Sequence, residues 1–152
     1  MPTHISPGTS LKLFADDAML YQKINNHTDQ DNLQHDLDRL IDWAQSWQMT
    51  FNPSKCKIMH ITRSKSPIDN PYIIHNETLR AVPVATHLGI DISNNLSWNP
   101  HINKIVNKAN SKLGFIKRNL KSIPQSIKTY AYWSLVHPHL EYCCPVWDPY
   151  TT

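Results

Sequence analysis

Leu11-Lys12-Leu13-Phe14-Ala15-Asp16-Asp17-Ala18-Met19-Leu20-Tyr21 sets two adjacent carboxylates between two apolar runs. The length suits two short strands joined at the acidic pair, and on pattern alone a short continuous helix also fits. Two carboxylates at a hairpin tip, held between apolar strands, can present oxygens to a hard divalent cation. The same dipeptide standing alone is most often a solvated turn, because Asp is a common turn residue.

Downstream, Leu33, Leu37, Leu40, Ile41, Ala44 and Trp47 recur at three- and four-residue steps, which predicts a helix from Asp29 to Gln48 with one apolar face. Thr28 or Asp29 suits its cap and Asp31 its first turn, while Asp31, His35, Asp38 and Asp42 fall on the opposite face. Cys56 to Thr62 alternates and reads as a strand, and Ser64 to Pro71 as a loop. Tyr72-Ile73-Ile74 and Thr78 to Val82 flank His75-Asn76-Glu77 as a hairpin. His87 to Ile92 reads as a further strand, in which Gly89 marks a bulge or a close backbone approach. A helix on a small antiparallel sheet is the expected product.

From Ser97 the pattern turns helical. Asn99 can cap and Pro100 is tolerated at the first helical position of a helix running to about Asn119. Ile102, Ile105, Val106, Ala109, Leu113 and Ile116 share one face; Lys104, Lys108 and Lys112 form a stripe beside it, with Phe115 among them. Pro124 opens another helix, roughly Gln125 to Val136, and the tail is broken by Pro138, Pro145 and Pro149.

The net charge of +3 is small, but its distribution is uneven. Residues 1–50 hold seven acids and three bases, whereas Asn99 to Lys128 hold seven bases and no acid. Lysines at i, i+4 and i+8 can follow a phosphate backbone, although a lysine stripe is more often a solvated helix face. Three unpatterned cysteines favour a reducing compartment over a disulfide framework. No apolar stretch approaches a membrane span, and residues 1–10 carry no signal-peptide pattern, so an unsecreted, intracellular chain, nuclear or cytoplasmic, without a membrane partner is expected. His137, His139, Cys143 and Cys144 have zinc-ligand chemistry, but adjacent cysteines are awkward for tetrahedral chelation.

The order of these segments carries a resemblance that none carries alone. Phe14-Ala15-Asp16-Asp17 resembles the aromatic-x-Asp-Asp hairpin of reverse transcriptases, their third palm motif. Trp47 to Cys56 resembles the fourth palm motif of non-LTR retrotransposon enzymes, and His87-Leu88-Gly89-Ile90 the fifth, the primer grip, where many relatives have Tyr first. Leu96-Ser97-Trp98, His101-Ile102, Leu113-Gly114-Phe115 and Leu140-Glu141-Tyr142 are similar to the thumb of jockey-like elements.

The resemblance implies an α+β fold: a disordered lead-in over 1–10, a truncated polymerase palm over 11–96 and a small helical thumb over 97–152. It implies a fragment of an RNA-directed DNA polymerase, which in complete form performs two-metal nucleotidyl transfer with Mg²⁺, an RNA template, a DNA primer and deoxynucleoside triphosphates. Asp16 and Asp17 are the implied catalytic metal ligands, and Lys55 lies where a basic residue can help protonate pyrophosphate. His87, Leu88 and Gly89 are the implied primer grip, and Lys104, Lys108, Lys112, Lys117 and Arg118 the implied nucleic-acid contacts. The family's first palm motif supplies another essential aspartate, and none of the ten residues before Leu11 is acidic. The 152 residues alone are therefore expected to be inactive; the alternative is a non-catalytic nucleic-acid-binding module of retrotransposon origin.

Overall fold

The computed structural model describes residues 5–64 and 71–148. The described residues are mixed α and β, and among them are four separate two-stranded sheets, three of them antiparallel. Among the described residues, three helices exceed ten residues and two are short. The chain divides into two compact units, Met1–Val82 and Pro83–Thr152.

In the first unit, β1 (Thr9–Phe14) and β2 (Asp17–Gln22) form an antiparallel ribbon whose register runs from Thr9 opposite Gln22 to Phe14 opposite Asp17. The hairpin reading holds and the continuous helix does not. Ala15 takes φ +51° in the two-residue turn, as a tight hairpin requires to match the strand twist. Of the lead-in expected over 1–10, residues 1–4 lie outside the described residues. Thr9 and Ser10 belong to β1, and Ser6 is held by the carboxylate of Asp36 through its backbone N–H (3.1 Å to each oxygen) and its hydroxyl (3.0 Å).

Helix α1 (His27–Ser46) is capped by Asn26, not by Thr28 or Asp29: the Asn26 Oδ1 accepts from the Asp29 N–H at 2.8 Å. The Asp29 carboxylate reaches back to the Asn25 N–H at 2.8 Å, and this bond leads those that hold its pKa below the ordinary value. Leu40, Ile41 and Ala44 are buried as their spacing predicts. Trp47 lies past the last turn and is exposed. Ile41 forms a core with Tyr72, Ile74 and Leu79, closed by Leu33, Leu37, Phe51, Cys56 and Ile58. Each fully buried aliphatic side chain there contributes about 2 kcal/mol.

The expected single antiparallel sheet is instead divided. β3 (Lys57–Ile58) pairs in parallel with β6 (Arg80–Ala81), while β4 (Ile73–Ile74) and β5 (Glu77–Thr78) form a hairpin across His75 and Asn76, at φ +50° and +65°. The strand expected over Cys56 to Thr62 is two residues long. Beyond the paired residues, the Val82 N–H donates to the Ile58 carbonyl at 2.9 Å. Gln34 of α1 clamps β4, accepting from the Ile73 N–H at 2.9 Å and donating to the Ile73 carbonyl at 3.0 Å. The Ser64 to Pro71 loop falls largely outside the described residues.

The second unit opens with β7 (Val84–His87) and β8 (Ile90–Ser93), joined by Leu88 and Gly89 at φ +47° and +82°. Gly89 is therefore a turn residue and not a bulge. Helix α2 (Asn99–Asn119) starts from Trp98, with Asn99 inside its first turn and Pro100 near its start. Helix α3 (Gln125–Leu135) follows Pro124. Pro138 and Pro145 open α4 (His137–Glu141) and α5 (Cys144–Trp147) instead of interrupting structure, since a first-turn N–H needs no partner inside the helix. Ala109, Ile116 and Val136 form the core, with Leu113, Leu120, Ala131, Tyr132 and Leu140 around it. β7 and β8 fall in the same compact unit as α2, and within it Asp91 is bonded to His101 and Lys104.

Candidate nucleic-acid interface

Asp16 sits in the turn of the first hairpin and Asp17 opens β2; both are exposed, beside a Phe14 ring that is 64% exposed. Their oxygens have the hard-donor chemistry that Mg²⁺ prefers, and solvent access leaves room for water and substrate ligands. Among the described residues, no three His, Cys, Asp or Glu side chains gather to hold a metal ion. That applies to the acidic pair, which gains no third carboxylate, and to the tail. There, His137 Nδ1 pairs with Glu141 Oε2 at 3.0 Å and its ring lies against Trp133, 4.1 Å between centroids. Lys55 is exposed in the turn after Pro53, its backbone N–H on the Asn52 carbonyl at 3.0 Å.

The other expected site residues lie in the second unit. His87, Leu88 and Gly89 form the end of the β7–β8 hairpin. The Tyr142 hydroxyl donates to the Leu88 carbonyl at 2.9 Å, and its ring would meet a Cβ on Gly89 at 3.2 Å. Gly89 is thus required both for its left-handed backbone and for the close approach.

Along α2, the stripe is not uniform. Lys104 Nζ bonds Asp91 Oδ1 at 2.6 Å. Burial pushes the Asp91 pKa up, but the bonds from Lys104 and Thr86 and the nearby Lys104 and His101 outweigh it and hold the carboxyl below its ordinary value. Lys108 and Lys112 are exposed, near His139 of α4; burial and then these two charges push the His139 pKa down. Phe115, half exposed, projects on the same side. Lys117 falls about 180° around the helix from the middle of the stripe, so it cannot share one phosphate track with it. Arg118 sits in the last turn, where its charge suits the helix dipole.

Sequence reasoning missed the hydrogen-bonding role of Asp91, the burial of His101, the place of His139 beside Lys108 and Lys112, and the anchoring role of Tyr142. His101 is 1% exposed; its Nδ1 accepts from the Asp91 N–H at 3.3 Å, and its Nε2 has no hydrogen-bond partner among the described residues. Only the i+3 step from Trp98 hinted at its inward position. Asp91 had no local signal, because an acid in a short strand is equally consistent with solvent. No described helix is long and apolar enough to cross a membrane.

Over 142 residues, 90% of its length, the chain is 24% identical to "Probable RNA-directed DNA polymerase from transposon X-element" of Drosophila melanogaster. The chain is similar to part of a retrotransposon polymerase. It spans 15% of that X-element protein. No family model matches the chain, and no solved structure matches it. The aligned length takes in both compact units, so the similarity does not rest on the acidic hairpin alone.

Proposed function

We propose that this chain is a part of an RNA-directed DNA polymerase of the non-LTR, jockey-like kind, comprising the end of a palm and a helical thumb. The observation that carries this reading is similarity to the X-element polymerase along nine-tenths of a chain that presents an Asp-Asp hairpin tip and, further on, an acid-free basic helix. In the complete enzyme, Asp16 and Asp17 would hold Mg²⁺, which supplies activation of the attacking 3′-hydroxyl and stabilisation of the leaving pyrophosphate. The β7–β8 turn would steady the primer end, with Leu88 and Gly89 fixed by Tyr142. Lys108 and Lys112, with Phe115 between apolar face and solvent, would contact the backbone of an RNA–DNA hybrid; Lys104 would serve mainly to fix Asp91.

The 152 residues by themselves act as a nucleic-acid-binding module on this reading, because two neighbouring carboxylates cannot hold two metal ions in the geometry of the reaction. Two measurements test it. Primer extension with Mg²⁺ and an RNA template should give no product with this chain alone; robust extension would mean that another acid completes the site. Anisotropy with an RNA–DNA hybrid should give affinity that falls steeply with salt, and Lys108→Ala with Lys112→Ala should lower the salt slope by about 2. An unchanged slope would remove α2 from the interface.

A further inference from the structure

Between α2 and α3 lies an open groove of about 470 Å³, separate from the Lys108–Lys112 stripe and with no part in the proposed function. Leu113, Ile116, Leu120 and Tyr132 line it with apolar surface, and Lys117, Lys121 and Lys128 add cationic chains. Lys128 Nζ donates to the Lys121 carbonyl at 3.0 Å, which pins the loop joining the two helices and fixes one wall of the groove. From Asn99 to Val136 the sequence holds no Asp or Glu, so neither helix supplies a counter-charge to these lysines.

An apolar floor with a one-signed rim has a complementary shape in chemistry: an amphipathic segment that is aliphatic on one side and acidic on the other. We propose that the α2–α3 groove docks an acidic amphipathic helix of a protein partner. Leu113 to the C-cap Leu120 spans about 10 Å along the end of α2, which matches two turns of a docked helix presenting side chains at i, i+3, i+4 and i+7. The lining favours this occupant over a nucleic acid. Three of the four apolar residues are aliphatic, and the Tyr132 ring already meets Trp133 and His137 edge-on, at 5.9 and 6.2 Å between centroids. Strand binding instead relies on exposed aromatic planes on which bases stack.

The probe is a fluorescent sixteen-residue peptide, about four turns long, with Leu at i, i+3, i+4 and i+7 and Glu on the remaining face. Polyglutamate, a scrambled peptide of the same composition and a single-stranded oligonucleotide serve as comparators. The peptide should bind the full chain, and Lys117→Glu with Lys121→Glu should weaken it about tenfold or more, with circular dichroism unchanged. Leu120→Gln should also weaken it, whereas Lys108→Ala with Lys112→Ala should not. Equal binding of polyglutamate or the scrambled peptide would reduce the groove to a nonspecific charge effect and overturn the proposal. Displacement of the peptide by the oligonucleotide in the Lys108→Ala, Lys112→Ala variant would assign the groove to nucleic acid instead. Absence of peptide binding to the wild-type chain would overturn it as well. None of these results depends on polymerase activity, so the groove and the polymerase reading fail separately.

Discussion

The phenolic hydroxyl of Tyr142 donates to the carbonyl oxygen of Leu88, 2.9 Å away and 54 positions earlier in the chain. This bond ties the chain after α4 to a two-residue turn whose backbone is left-handed at both positions. Tyr142→Phe should lower stability only slightly, because the hydrogen bond it removes is open to solvent. Gly89→Ala should cost more, about 1–2 kcal/mol, because a Cβ is strained at φ +82° and meets the Tyr142 ring. Urea unfolding ranks the two, and amide exchange at His87 and Ile90 locates the effect; exchange unchanged in Tyr142→Phe would show that the turn holds without its anchor.

Asp91 and Lys104 should make the second unit acid-sensitive. The folded Asp91 carboxyl titrates below its ordinary value, so the unfolded chain binds that proton more readily. Its stabilisation is therefore complete above the ordinary aspartate pKa and is lost as pH falls through the lower folded value. Asp91→Asn should lower stability by about 1–2 kcal/mol at neutral pH and flatten the acid limb of the stability curve. A parallel downward shift with the same acid limb would place the titration elsewhere.

Asp36 is the buried anchor of the first unit, its side chain wholly shielded and bonded to Ser6 and to Arg39 (Nη1 at 3.3 Å). Asp36→Ala strands the donors of Ser6 and should destabilise by about 2–3 kcal/mol. Ser6→Ala keeps the backbone bonds and should cost less than half as much. Denaturant midpoints for the two variants decide this; equal losses would mean that the serine hydroxyl carries the contact.

If the proposed interface binds a hybrid, His139 should make that binding pH-dependent. Burial and the charges of Lys108 and Lys112 hold its pKa below the ordinary value, so protonation comes only as pH falls and adds a cation beside the stripe. Affinity for an RNA–DNA hybrid should rise as pH is lowered through that range, and His139→Ala should respond less. Identical pH profiles for wild type and variant would separate His139 from the interface.

The local elements were legible because their signals are local. Apolar residues at three- and four-residue steps gave α1 and α2, Pro124 marked the start of α3, and an acidic pair between apolar runs gave the first hairpin to within a few residues. Caps were harder: Asn26, Thr28 and Asp29 are all competent, and only the bond actually made distinguishes them. Strand extent was harder still, since a ladder runs only as far as a partner from a distant segment lies beside it, as Arg80–Ala81 lies beside Lys57–Ile58.

The candidate interface shows the same division. Sequence alone determined the charges: an Asp-Asp pair early, seven bases without an acid later, and an order of segments similar to a retrotransposon polymerase. Tertiary structure decided how those charges are used. It paired Lys104 with Asp91, left Lys108 and Lys112 beside His139, turned Lys117 toward a separate groove and brought Tyr142 onto Leu88. Helical periodicity fixes which residues share a face, whereas the partner that faces them comes from distant segments brought together by burial of the core.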